Sequence, residues 1–67
     1  MSGFQPNDLI WILDDDGGKA GGFFQRPGEP GEAKVDPKLD LPRDVAWVET
    51  EDGEIEQRFY RQIEARN

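Results

Sequence analysis

The chain has no cysteine and no histidine. Lack of cysteine excludes a disulfide and a thiolate metal site, and lack of both residues excludes structural zinc. Small secreted domains usually rely on such staples, so their absence leans towards the cytoplasm. Long apolar runs are missing too. No stretch approaches the ~20 residues of a membrane span. Met1-Ser2-Gly3-Phe4-Gln5-Pro6 has no basic start and no long apolar region, so no signal peptide is expected. Catalysis has little to draw on. The remaining general bases are carboxylates, Tyr60, Lys19, Lys34 and Lys38. A chain of 67 residues also has little volume for a substrate pocket. The expectation is a non-enzyme with no cofactor.

Basic charge is the other scarcity. Eight Lys and Arg stand against 15 Asp and Glu, a net of −7. The imbalance is uneven, with Arg58, Arg61 and Arg66 all in the last ten residues. General binding to nucleic-acid phosphates needs a basic footprint, so it is not expected. An acidic balance keeps a small domain in solution and also suits a partner with a basic surface. A second copy of the chain is a further candidate partner, because a domain of this size buries only about 60% of its unfolded surface.

What is present is organised around two apolar runs, Leu9-Ile10-Trp11-Ile12-Leu13 and Val45-Ala46-Trp47-Val48. Both are too short for helices and are bounded by turn residues, so both read as strands. Phe23-Phe24-Gln25 reads as a short strand between them. Asp52-Gly53 predicts a type I′ hairpin turn after Val45–Thr50, with residues 54–59 as the return strand. Tyr60-Arg61-Gln62 then fits a short 3₁₀ turn before a last strand, Ile63-Glu64-Ala65. The competing reading is a helix over 51–66, since Ile55, Phe59 and Ile63 also share one helical face. The predicted core is Leu9, Trp11, Leu13, Phe23 or Phe24, Val45, Trp47, Ile55, Phe59 and Ile63.

The expected fold is mainly β, a single domain over 1–67 with a small barrel of about five short strands in 7–65. The alternative is α+β with the C-terminal helix. Flexible loops are expected at 14–22 and 26–44. In the second, Val35, Leu39 and Leu41 are expected to pin the loop to the barrel, and Asp36-Pro37 can start one helical turn. The strand order resembles the SH3-like small-barrel superfamily. Asn7-Asp8-Leu9-Ile10-Trp11-Ile12 is similar to the Gly-Asp-hydrophobic opening strand of its PWWP, Tudor and KOW-type branches, with Asn7 in place of the glycine. The resemblance is architectural and implies a barrel, not an activity.

Two loop sequences look like ligand motifs and fail the spacing test. Counting from Asp14, an EF-hand needs glycine sixth and glutamate twelfth, but Lys19 and Gln25 stand there. Gly17-Gly18-Lys19-Ala20-Gly21-Gly22 lacks the Ser or Thr that follows the lysine of a phosphate loop, and three aspartates precede it. The aromatics are more informative. In–out alternation leaves some of them at the surface, where they serve as interface anchors. The candidate partner-binding set is Asp14, Asp15, Asp16, Phe24, Trp47 and Tyr60. Acidic residues beside an aromatic groove select a basic segment. The leading functional expectation is therefore a protein-interaction module or accessory subunit. The alternative is an acidic mimic of DNA that inhibits a nucleic-acid-binding protein.

Overall fold

The computed structural model describes residues 3–66; Met1, Ser2 and Asn67, which the single-domain reading includes, lie outside the described residues. The chain is a small all-β domain. Its strands are β1 (Leu9–Leu13), β2 (Lys19–Pro27), β3 (Lys34–Asp36), β4 (Leu41–Arg43), β5 (Val45–Thr50), β6 (Ile55–Phe59) and β7 (Ile63–Ala65). Five form one antiparallel sheet in the order β6-β5-β2-β1-β7, and β3 pairs with β4 alone. The arrangement is compatible with an SH3-like fold. Short 3₁₀ turns lie at Pro30–Glu32 and Tyr60–Gln62. No described helix is long and apolar enough to cross a membrane.

The first strand begins at a turn that the sequence dictates. Pro6 presets φ, and Asn7 takes φ +72, as the third position of a type II turn requires. Asp8 N donates to Gln5 O at 3.0 Å, and Asp8 Oδ2 accepts from Gln5 N at 2.9 Å. Asn7 N then donates to Phe24 O at 2.7 Å, so the turn is tied to β2 before β1 starts.

The hairpin reading of the C-terminal third holds, and the helix over 51–66 does not. Val45↔Phe59 to Glu49↔Ile55 pair in one antiparallel register. Tyr60–Gln62 is a 3₁₀ turn, in which Gln62 Oε1 accepts from Phe59 N at 3.1 Å. Ile63 then pairs with Ile12. Thr50, Glu51, Asp52 and Gly53 are better suited to a turn than to a helix start. Gly53 adopts φ +89 and closes back on Thr50 O at 2.9 Å. Asp52 is not in the left-handed region. The turn is thus a type I turn with a glycine bulge rather than type I′.

The core differs from the predicted set. It comprises Ile10, Ile12, Phe24, Val45, Ala46, Val48 and Ile63. Phe24, Val45 and Ile63 were expected there. Leu9 and Ile55 are exposed, while Trp11, Leu13, Phe23, Trp47 and Phe59 are only half-buried. Every position of Leu9–Leu13 is apolar, so alternation alone does not say which face points in. Partners decide it. Ile10 and Ile12 pack in one buried cluster with Phe24, Ala46, Val48 and Ile63, which leaves Trp11 on the opposite face of β1. Gly22 is buried, and a Cβ there would stand 2.7 Å from both Glu49 O and Ile12 Cδ1, so only glycine fits.

The two expected loops are shorter than predicted. Lys19 to Gly22 belong to β2, since their backbone pairs with Leu13 to Ile10. Residues 28–44 contain a 3₁₀ turn and the β3–β4 hairpin. Asp36-Pro37 does start a single turn, closed by Asp40 N to Asp36 O at 2.7 Å. Val35, Leu39 and Leu41 do not pin this hairpin to the five-stranded sheet. Val35 is 59% exposed, and both leucines are exposed. A buried charge holds it instead.

Candidate functional site

Two turns of the same design lie at one end of the sheet. In Asp14-Asp15-Asp16-Gly17-Gly18, Gly17 N donates to Asp14 O at 3.0 Å and Asp14 N to Gly18 O at 2.8 Å. In Thr50-Glu51-Asp52-Gly53-Glu54, Gly53 N donates to Thr50 O at 2.9 Å and Thr50 N to Glu54 O at 2.8 Å. Gly17 and Gly53 take φ +94 and +89, which glycine alone adopts without strain. β1 and β5 are both antiparallel to β2, so they run in the same direction. The turns that follow them must therefore emerge at the same end.

Between these turns lies a groove of about 320 Å³. Asp14, Glu51, Asp52, Glu54 and Glu56 line it beside Ile12 and Ala20. Arg58 is the one cation in the lining. Its Nη2 pairs with Glu56 Oε1 at 2.6 Å, and its buried Nε has no hydrogen-bond partner. Among the described residues no cluster of His, Cys, Asp or Glu is arranged to hold a metal ion.

The three aspartates of the first turn separate. Asp14 enters the groove. Asp16 Oδ1 accepts from Gly18 N at 3.1 Å and finishes its own turn. Asp15 points away, where Oδ1 accepts from Arg61 Nη1 at 2.8 Å and from Gln62 Nε2 at 3.4 Å. The Arg61 hydrogen bond holds the Asp15 carboxyl below its ordinary range.

Arg61 also clamps the β3–β4 hairpin. Its Nε and Nη2 donate to Asp36 Oδ2 and Oδ1 at 2.6 and 2.8 Å, a bidentate pair. Asp36 has 0% exposure, and Oδ1 also accepts from Lys38 N at 3.0 Å. Hydrogen bonding to Arg61 outweighs burial and holds the Asp36 carboxyl at about 2, against an ordinary 3.8. A depressed folded value means that the unfolded chain takes up the proton first as pH falls. The contribution is therefore complete well above pH 3.8 and is lost as pH falls towards about 2. The difference in thermal midpoint between the wild type and Asp36→Asn should be constant from pH 5 to 7 and shrink over that acid range. A difference that stays constant to pH 2 would refute this account.

The aromatic candidates do not assemble with the acidic turns. Phe24 is 1% exposed and stacks on Phe4 with ring centroids 5.4 Å apart, so it is a core residue and offers a partner no surface. Trp47 is half-buried and engaged by Arg26 and Glu32. Its indole Nε1 donates to Glu32 Oε1 at 3.2 Å, and the Arg26 guanidinium lies 5.1 Å from its ring. The same Glu32 oxygen accepts from Glu29 N at 2.8 Å. That backbone bond, then the indole and Arg26, lowers the Glu32 carboxyl. Tyr60 is half-buried beside the core, and burial, with Asp44 nearby, raises its phenol. Of the candidate set, only Asp14 faces the groove.

Four groove residues, Glu51, Asp52, Glu54 and Glu56, were missed by the sequence reading. The signal available was the repeated spacing of acidic pair and glycine at 15–17 and 51–53. No protein-family model, curated protein or solved structure matches the chain.

Proposed function

We propose that this chain is a non-enzymatic protein-interaction module that docks a basic segment of a partner in the groove between its two acidic turns. One observation carries the reading: Asp14, Glu51, Asp52, Glu54 and Glu56, from two separate parts of the chain, line one groove opposed by Arg58 alone. Gathering like charges opposes folding, and a cationic ligand relieves that repulsion. The reading keeps the acidic turn expected from the sequence but moves the aromatics out of the site. The sheet order supports an SH3-like scaffold, because β7 returns to pair with β1 after a 3₁₀ turn and extends the β6-β5-β2-β1 order. The absence of cysteine supports a cytoplasmic setting.

The test is calorimetric titration with a capped Gly-Arg-Gly-Arg-Gly peptide. Binding should weaken steeply with added salt. Glu51→Gln with Glu54→Gln should weaken it about tenfold at low salt, equivalent to ~1.4 kcal/mol. Both carboxylates are on an exposed turn and belong to the mutually repelling cluster, so the variant should melt no lower than the wild type. No binding, or binding indifferent to these two changes, would remove the proposal.

A further inference from the structure

Trp11 projects from the outer face of β1, and its ring carries two of the chain's own cations. The Arg66 guanidinium carbon lies 4.6 Å from the ring centroid, and Lys19 Nζ lies 5.4 Å from it. Arg66 Nη1 also pairs with Glu51 Oε2 at 3.3 Å. Directly across from Trp11 on β2 is Gly21. A Cβ on Gly21 would overlap Arg66 Nη1 and stand 2.7 Å from Glu51 Oε2. The bare backbone is thus what admits the guanidinium. An aromatic face, a carboxylate and a glycine hollow together match the three needs of a guanidinium: a stacking plane, a charge partner and room.

The notch and the acidic groove are continuous, since Gly21 and Glu51 line both. Arg66 is held lightly. It follows the end of β7, its backbone N reaches Leu9 O at 3.3 Å, and in its pair with Glu51 the two side chains are 29% and 61% exposed. An exposed pair of this kind contributes little to stability. Lys19 is drawn to a different carboxylate, Glu64, at 3.3 Å.

The geometry points to an arginine-recognition notch built from Trp11, Gly21 and Glu51, which takes an arginine of the partner's basic segment and which Arg66 fills until that arginine displaces it. This rests on the groove as the dock for a basic segment, and it adds the residue type read there and an internal competitor. Occupancy by Arg66 lowers apparent affinity by the fraction of molecules whose notch is open.

The test is titration of the wild type and Arg66→Ala with the Gly-Arg-Gly-Arg-Gly peptide and with its lysine counterpart. Arg66→Ala should bind the arginine peptide about tenfold more tightly if Arg66 fills the notch in nine-tenths of molecules. Arg43→Ala removes the same charge elsewhere and should change affinity by less than about twofold. The lysine peptide should gain much less from Arg66→Ala, because an ammonium neither stacks nor forks. Added to Arg66→Ala, either Glu51→Gln or Trp11→Leu should abolish the gain. Glu51→Gln lies on an exposed turn and guards against a folding artefact. No tighter binding by Arg66→Ala than by Arg43→Ala, or a gain that survives Glu51→Gln, would overturn the notch. If the peptide still binds the wild type through the groove carboxylates, that result leaves the groove standing. Absence of binding to both the wild type and Arg66→Ala overturns both.

Discussion

Arg61→Ala should lower the thermal midpoint by about 15 °C or more, a loss comparable to removing a core aromatic. Arg61 joins three distant segments. It reaches Asp15 in the β1–β2 turn and Asp36 in the β3–β4 hairpin from its own 3₁₀ turn. The cost comes mainly from what is left behind. Asp36 has 0% exposure, so without Arg61 a buried carboxylate keeps only the Lys38 backbone N–H. Stranding a charge costs more than the net contribution of the pair that held it. Adding Asp36→Asn to Arg61→Ala should therefore restore part of the midpoint, because the stranded group is no longer charged. Arg61→Lys should recover little, since an ammonium cannot supply the two parallel N–H groups that meet Asp36 Oδ1 and Oδ2. Asp15→Asn should shift the midpoint by less than about 4 °C, because that pair is at the surface. Circular dichroism melts of these four variants decide the matter. A double variant no more stable than Arg61→Ala would show that the stranded charge is not the cause.

Phe24→Ala should leave most molecules unfolded at 25 °C. Truncating a fully buried phenylalanine costs about 3–5 kcal/mol, most of what a small domain has in total. Phe24 is opposite Val48 on β5 and stacks on Phe4, so the cavity would open at the middle of the sheet. Phe24→Leu fills more of that space and should stay folded with a lowered midpoint. It should also bind the arginine peptide as the wild type does, since Phe24 is in the core and not in the groove. Urea titration gives the stability, and calorimetry on the folded Phe24→Leu protein gives the binding. A folded Phe24→Ala chain with weakened peptide binding would return Phe24 to the candidate site.

The local elements were legible because their signals are local. Pro6-Asn7, the glycines at 17 and 53, the apolar runs and the 3₁₀ turn before Ile63 each prescribe backbone geometry within a few residues. The same is true of the excluded chemistry, since absent cysteine and histidine need no fold to interpret. The face that Trp11 presents was not legible. The run Leu9–Leu13 is apolar on both sides, and only packing against Phe24, Ala46, Val48 and Ile63 puts the isoleucines inside. The anchoring of the β3–β4 hairpin was missed for a different reason. Val35, Leu39 and Leu41 suggested an apolar latch, whereas the latch is Asp36 meeting a side chain 25 residues away.

The sequence by itself determined that this is a small, acidic domain with strands at its two apolar runs, a glycine-bearing acidic turn after the first and no thiol or imidazole chemistry; the structure chose the hairpin over the helix at 51–66. Tertiary structure decided where the two acidic turns point. β1 and β5 run the same way because each is antiparallel to β2, and that relation brings Asp14, Glu51, Asp52 and Glu54 to one groove. It also divided the three aspartates among a groove, a turn and an ion cluster. Strand pairing and long-range ion pairs join residues far apart in the chain, so no local pattern could carry that information.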